Sequence, residues 1–213
     1  MRDISQKFYN DSYDKLGINA QRKYPNEEFL RFLEREFSSK HEYGKRKEIK
    51  ILELGSGSCS NLWVLAREGY DAYGIDFSEK GIELGKEVLK RWGVTANAVL
   101  GNFRELPYEN EYFDGVFDIL ATHCQMESQF LTCIDEVKRV LKRGGSFLSF
   151  FPSANSDAFT NYKPAKKIEE FTLNGIIRET SPYNGGCHPF HFMYPEKYKS
   201  ILEERKFKVT NLE

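Results

Sequence analysis

The stretch "ILELGSGSCSN", Ile51 to Asn61, decides the fold. Its apolar start reads as a buried strand and its end as the entry to a helix. Neither element explains an acid at Glu53 or the pair Gly55 and Gly57. Glycines at a strand-to-helix junction let the backbone turn tightly and let a ligand approach without a Cβ in the way. Free N–H groups of a helix starting near Ser58 would add a partial positive charge.

Outward from this junction, strand and helix alternate. "IKILEL" reads as strand, "SNLWVLAREG" as helix, "DAYGIDF" as strand and "EKGIELGKEVLKRWG" as helix. "TANAVLGN" and "FDGVFDILAT" are strands, "SQFLTCIDEVKRVLKRGG" a helix and "SFLSFF" a strand. This pace predicts an α/β fold: a Rossmann-like, doubly wound, mostly parallel sheet with helices on both faces. Residues 3 to 16 and 25 to 37 carry helical spacing ahead of it. Residues 152 to 195 interrupt the alternation with prolines, many aromatics and the turn "YNGG". "PEKYKSILEERKF" then reads as helix and "KVTNLE" as the start of a strand.

Length fits a single domain of 213 residues. The expected parts are a helical lid over 1–47, a ligand-binding core over 48–151, an inserted cap over 152–195, and a helix and strand over 196–213. A formal net charge of -1 argues against a nucleic-acid partner. The basic run Lys45 to Lys47 has Glu42 and Glu48 beside it and reads as a solvated turn. The four cysteines have no Cys-x-x-Cys spacing, and no apolar run reaches membrane-span length. The expectation is reduced thiols, no membrane partner and a cytoplasmic location.

Ligands of open parallel sheets sit beyond the carboxyl ends of the strands. Glu53 there repels phosphate and suits an ammonium. Asp76, ending the second strand, suits ribose hydroxyls. A zwitterion at one end and a nucleoside at the other describe S-adenosylmethionine. A dinucleotide is disfavoured, because Ser60 stands where its third glycine would fall.

From Glu53 to Cys59 and on to "LKRGG", Leu141 to Gly145, the sequence resembles class I S-adenosylmethionine-dependent methyltransferases of the group acting on small molecules. The first motif reads Glu53-Leu54-Gly55-Ser56-Gly57-Ser58-Cys59, with Cys59 where a third glycine is common. Asp76 matches the acid of strand two. "GNFRELP" matches the third motif region, with Asn102 for the usual Asp. The resemblance implies S-adenosylmethionine as cofactor and S-adenosylhomocysteine as product. It implies cofactor contacts from Tyr13, Glu53, Gly55, Ser56, Gly57, Asp76, Phe77, Asn102, Phe103, Ala121 and Thr122, with Phe77 against the adenine and Asn102 accepting from its amino group. Asp114 would be structural. It also implies a sixth strand and an antiparallel seventh, for which the residues before Glu213 are too few; a truncated sequence is expected.

His123 and His188 are the candidate catalytic bases, since histidine titrates near neutral pH. No metal is expected. The run Cys187 to Phe192 holds two histidines and a cysteine, but no fourth ligand is evident. The cap aromatics Phe159, Tyr162, Phe171, Tyr183, Phe190 and Phe192 suit either an acceptor pocket or a satellite core. The expected reaction moves a methyl group in line to an O or N nucleophile of a small molecule. The alternatives are an RNA or protein acceptor, or a protein that binds the cofactor and transfers nothing. Oligomeric state is left open.

Overall fold

The central strand β1 (Lys50–Leu54) is apolar on both faces, and Ile51, Leu52 and Leu54 are buried. Continuous burial of this kind belongs to a parallel strand covered on two sides. The computed structural model describes residues 4–177 and 186–212. In it β1 lies between β2 (Asp71–Asp76) and β4 (Phe113–Ile119), and the sheet runs β3 (Asn97–Leu100), β2, β1, β4, β5 (Leu141–Phe150). All four pairings are parallel. The strand order reverses between β1 and β4, the point where such sheets open a crevice. Register sets Leu54 opposite Ile75 and Asp118, so the tips of three strands end together.

Helices α1 (Ile4–Leu16) and α2 (Glu27–Leu33) precede the sheet. Asn26 caps α2, accepting from the N–H groups of Glu28 and Phe29. Phe29 of α2 stacks on Phe117 of β4 at 4.5 Å, and Phe32 and Phe37 join the same cluster. This helix is therefore core, whereas α1 lies at the strand tips. The connecting helices are α3 (Leu62–Arg67), α4 (Glu79–Arg91) and α5 (Glu127–Val140).

Two expectations are corrected here. The helix after the glycine junction begins at Leu62, not near Ser58. Cys59 holds φ at 62°, a left-handed value that a right-handed helix excludes, so the helix starts about one turn later. With six residues, α3 offers no extended helix dipole to a ligand. Residues 208–212 form no strand. Among the described residues no helix is long and apolar enough to cross a membrane.

The described residues of 152–195 form secondary structure of their own. It holds the short α6 (Asp157–Thr160) and an antiparallel sheet of β6 (Lys166–Glu169), β7 (Thr172–Ile176) and β8 (Gly186–His191). Phe159, Phe171, Phe190 and Phe192 are buried together, with Tyr162 against them. These aromatics make a satellite core. Tyr183 lies outside the described residues, as does the side chain of Cys187. The last helix, α7 (Pro195–Glu204), packs Tyr198 and Ile201 against Phe130 and Ile134 of α5.

The unusual Cys59 is accommodated by Gly85 of α4. A Cβ at position 85 would lie 2.5 Å from the Cys59 Sγ. Gly85→Ala should therefore destabilise the fold by about 1–3 kcal/mol through overpacking. Adding Cys59→Gly should recover most of that loss, as a double-mutant cycle of urea unfolding would measure. Additive losses would contradict the contact.

Candidate functional site

The glycine junction is built by the strand beside it. Gly55 and Ser56 donate their N–H groups to the Ile75 carbonyl, at 2.8 and 3.1 Å. Gly57 donates to Asp76 Oδ2 at 2.8 Å, and Ser78 donates its N–H to Asp76 Oδ1 at 2.8 Å. Gly55 and Gly57 both hold positive φ. Each also permits a close approach: the Ala121 Cβ fills the space a side chain at 55 would need, and the Tyr13 hydroxyl fills that at 57.

Above this turn lies a cleft of about 630 Å³. Tyr13, Glu53, Gly55, Ser56, Gly57, Asp76, Phe77 and Ala121 line it, so eight residues singled out from the sequence meet in one place. Glu53 is buried, and its Oε1 accepts from Asn61 Nδ2 at 2.6 Å. Its Oε2 has no hydrogen-bond partner among the described residues, nor does the Ser56 hydroxyl. Burial pushes the Glu53 carboxyl up to about 8, against the pull of Asn61 and Arg22. Burial also raises Asp76, to about 6, although two backbone N–H groups favour its charged form. A buried carboxyl with half its hydrogen-bonding capacity unmet is costly in the free protein, and a cation brought to Oε2 would relieve it by favouring the ionised form.

Helix α1 roofs the cleft through polar contacts. Gln6 Nε2 donates to the Phe77 carbonyl at 2.7 Å, and Ser78 Oγ donates to Asn10 Oδ1 at 2.6 Å. Tyr13 is buried beneath it, its phenol pushed up by desolvation and then by Asp76.

Phe77 also walls a neighbouring cavity of about 660 Å³, together with Gly101, Asn102, Phe103 and Gln125. There the Asn102 Oδ1 already accepts from Arg104, from the backbone N at 2.9 Å and from Nε at 3.2 Å. Thr122 is fully buried and lines none of these spaces; its hydroxyl donates to Asp118. Asp118 also accepts from the Ala121 N–H at 2.8 Å and the Thr122 N–H at 3.1 Å. These bonds pin Leu120, whose φ of 57° is strained for a branched side chain. Asp114 lies at the far end of β4, accepting from the Lys50 N–H and from Lys142 Nζ.

A third cavity, of about 1540 Å³, shares Tyr9, Gln21, Arg22, Ile119 and Leu120 with the cleft. His123 lines it. Burial, with His188 nearby, pulls the His123 imidazole down to about 3, so it is neutral at pH 7 and a weak proton acceptor. His188 is buried among Phe8, Tyr9 and Phe190, at ring distances of 4.6, 5.5 and 4.3 Å. His191 Nδ1 meets Thr172 Oγ1 at 2.8 Å. The sequence reading missed Arg22, Asn61 and Cys124. Asn61 follows the glycines directly and could have been suspected; Arg22 sits in a polar loop that carries no motif.

Residues 52–149 match the family described as "Methyltransferase domain". Residues 52–149 thus carry a methyltransferase-family domain, set in a Rossmann-like methyltransferase fold. A phthiotriol/phenolphthiotriol dimycocerosates methyltransferase of Mycobacterium leprae is 29% identical over 70% of this chain and 50% of its own length. The cycloartenol-C-24-methyltransferase of Arabidopsis thaliana is 30% identical over 70% of this chain and 44% of its own. The chain thus spans about half the length of the curated relatives it matches. Among solved structures, a SAM-dependent methyltransferase of Methanosarcina mazei superposes with a TM-score of 0.64 at 22% identity, covering 82% of this chain and 86% of that one. The PH0226 protein of Pyrococcus horikoshii gives 0.61 at 21%, covering 95% and 94%. At these identities the superpositions establish the fold.

The raised carboxyls set the pH behaviour of the free methyltransferase domain. Glu53 binds its proton more tightly folded than unfolded, so its contribution to stability fades as pH rises from 4.5 towards 8. His123 and His191 are shifted down, to about 3 and about 4, so theirs fades as pH falls below 6.5. Stability without ligand should peak between those limits. Glu53→Gln should raise stability at pH 8 by on the order of 4 kcal/mol and leave it almost unchanged at pH 4.5. Thermal denaturation across pH tests this; a variant less stable at pH 8 would contradict it.

Proposed function

We propose that the protein transfers the methyl group of S-adenosylmethionine to an oxygen or nitrogen nucleophile of a small molecule, leaving S-adenosylhomocysteine. The observation that carries the reading is the buried, half-satisfied Glu53 beside Asp76, in a cleft that meets a larger cavity at Leu120.

The residues present suit the cofactor. Glu53 Oε2 would accept from its ammonium and Arg22 would hold its carboxylate. Asp76 spends one lone pair of each oxygen on the backbone and keeps one on each for the ribose diol. Phe77 and Phe103 would flank the adenine. The Asn102 carbonyl is taken by Arg104, so its amide N–H groups are left to donate to the ring, rather than its oxygen to accept from the amino group. Bound in this way, the cofactor supplies an electrophilic methyl on a sulfonium. The protein's own work is alignment and exclusion of water, and orientation alone removes on the order of 7–11 kcal/mol of barrier. Leu120 lines both spaces, so donor and acceptor would meet over a turn that Asp118 holds rigid.

The names of the mycobacterial and plant relatives, which specify phthiotriol dimycocerosates and cycloartenol, support a small acceptor over a polymer. Saturating S-adenosylhomocysteine should raise the melting temperature, by the equivalent of about 2.7 kcal/mol at a hundredfold excess over Kd, and NAD should not. Asp76→Ala should abolish most of that shift. With a labelled methyl donor and a cell extract, label should appear in a small-molecule fraction. Stabilisation by NAD alone would overturn the cofactor reading; label only in RNA or protein would overturn the acceptor reading.

A further inference from the structure

The large cavity beside the cleft has a wall and a charge, and together they narrow the acceptor. We propose that it binds an apolar molecule carrying an anionic group, with Lys15 as the anchor for that group, and that the acceptor reacts at oxygen as an anion such as a phenolate, enolate or carboxylate. The inference rests on the assignment of the neighbouring cleft to S-adenosylmethionine.

The wall comes from three parts of the chain. Helix α1 contributes Phe8 and Leu16, the β4 tip contributes Ile119 and Leu120, and β8 contributes Phe190. Surfaces of this kind take up an apolar body. The charge follows from which ionisable groups are already engaged. Asp11 lines the cavity, but Lys7 Nζ holds its carboxylate at 2.8 Å. The other acid of α1, Asp14, faces Lys80 at 3.8 Å. Lys15 and Arg22 also line the cavity, and neither forms an ion pair among the described residues. Arg22 is taken by the carboxylate of the bound cofactor, which leaves Lys15 as the uncompensated cation; it gives the cavity a positive field, which favours an anion and repels an ammonium.

Among the described residues no competent base faces the cavity, which points the same way. His123 is a neutral imidazole and too weak a base to deprotonate an alcohol. Glu53 faces the cofactor cleft, and Asp118 is committed to the Leu120 turn. An acceptor that arrives already ionised needs no proton removed. Its electron pair forms the new bond to the methyl carbon. The carbon–sulfur pair returns to sulfur and cancels the sulfonium charge. The products are a neutral methylated acceptor and a thioether, and no proton is released.

Three probes of one shape test this: 2-naphthoate, 2-naphthalenemethanol and 2-naphthylmethylamine. Their affinities are measured by calorimetry on the whole chain, with and without saturating S-adenosylhomocysteine. Naphthoate should bind about fivefold or more tighter than the neutral alcohol, and the amine should bind most weakly. The preference should shrink at high salt. With S-adenosylhomocysteine bound, Lys15→Met should erase it while leaving the affinity for S-adenosylhomocysteine unchanged. Equal or tighter binding of the alcohol or amine would overturn the proposal. So would a preference that survives Lys15→Met, or failure of all three probes to bind. Absence of S-adenosylhomocysteine binding would instead overturn the reading of the cleft, and the probe series without it would still decide whether the cavity selects anions.

Discussion

A carboxyl group buried at the tip of the central strand, and given a single hydrogen bond among the described residues, organises this protein. Glu53 can be there because β1 is flanked by β2 and β4 and points its end into the crevice where strand order reverses. Asn61 satisfies one oxygen and leaves the other bare. Buried polar groups are nearly always paired, so the exception asks for an explanation. A cationic ligand group supplies one. The cost of an unmet acid falls on the free protein, and its relief becomes binding energy.

The rest of the cleft is arranged around that tip by close approach. Residues without side chains at 55 and 57 admit Ala121 from one side and Tyr13 from the other. Asp76 ties the turn to the second strand through Gly57 and Ser78. Asp118 does the same for the fourth strand and fixes the strained Leu120. Thus three acids on three adjacent strand tips hold three loops in place. Two of the acids face the cleft, and the third acts through the turn it grips, by two backbone N–H groups and the Thr122 hydroxyl.

Much of this was legible in the sequence, for physical reasons. Apolar-rich runs in β1 and β4 and helical spacing in α4 and α5 are local signals, and they gave the sheet and its crevice. Glu53 and Asp76 stood out because an acid ending a buried strand is costly. Tertiary features were less visible. Nothing local marks Arg22, which reaches the cleft only because α1 and the loop after it fold over the strand tips. The left-handed Cys59 delayed the start of α3, and its tolerance depends on Gly85, 26 residues away. Proline and aromatic content made 152–195 look irregular, yet pairing of β6, β7 and β8 turns those rings into a small core. Cavity boundaries depend on such long-range packing, so the wall formed by Phe8, Leu120 and Phe190 could not be read from spacing.

The most direct test of the central claim is the proton balance of cofactor binding. Calorimetric titration of the whole chain with S-adenosylhomocysteine near pH 7, in buffers of differing ionisation enthalpy, counts the protons exchanged. If Glu53 is protonated in the free cleft, as its pKa of about 8 requires, and ionises against the ligand ammonium, close to one proton is released per molecule bound. Replacement of Glu53 by Gln removes that release. Tight binding of the ligand with no proton released by the native protein would contradict the account.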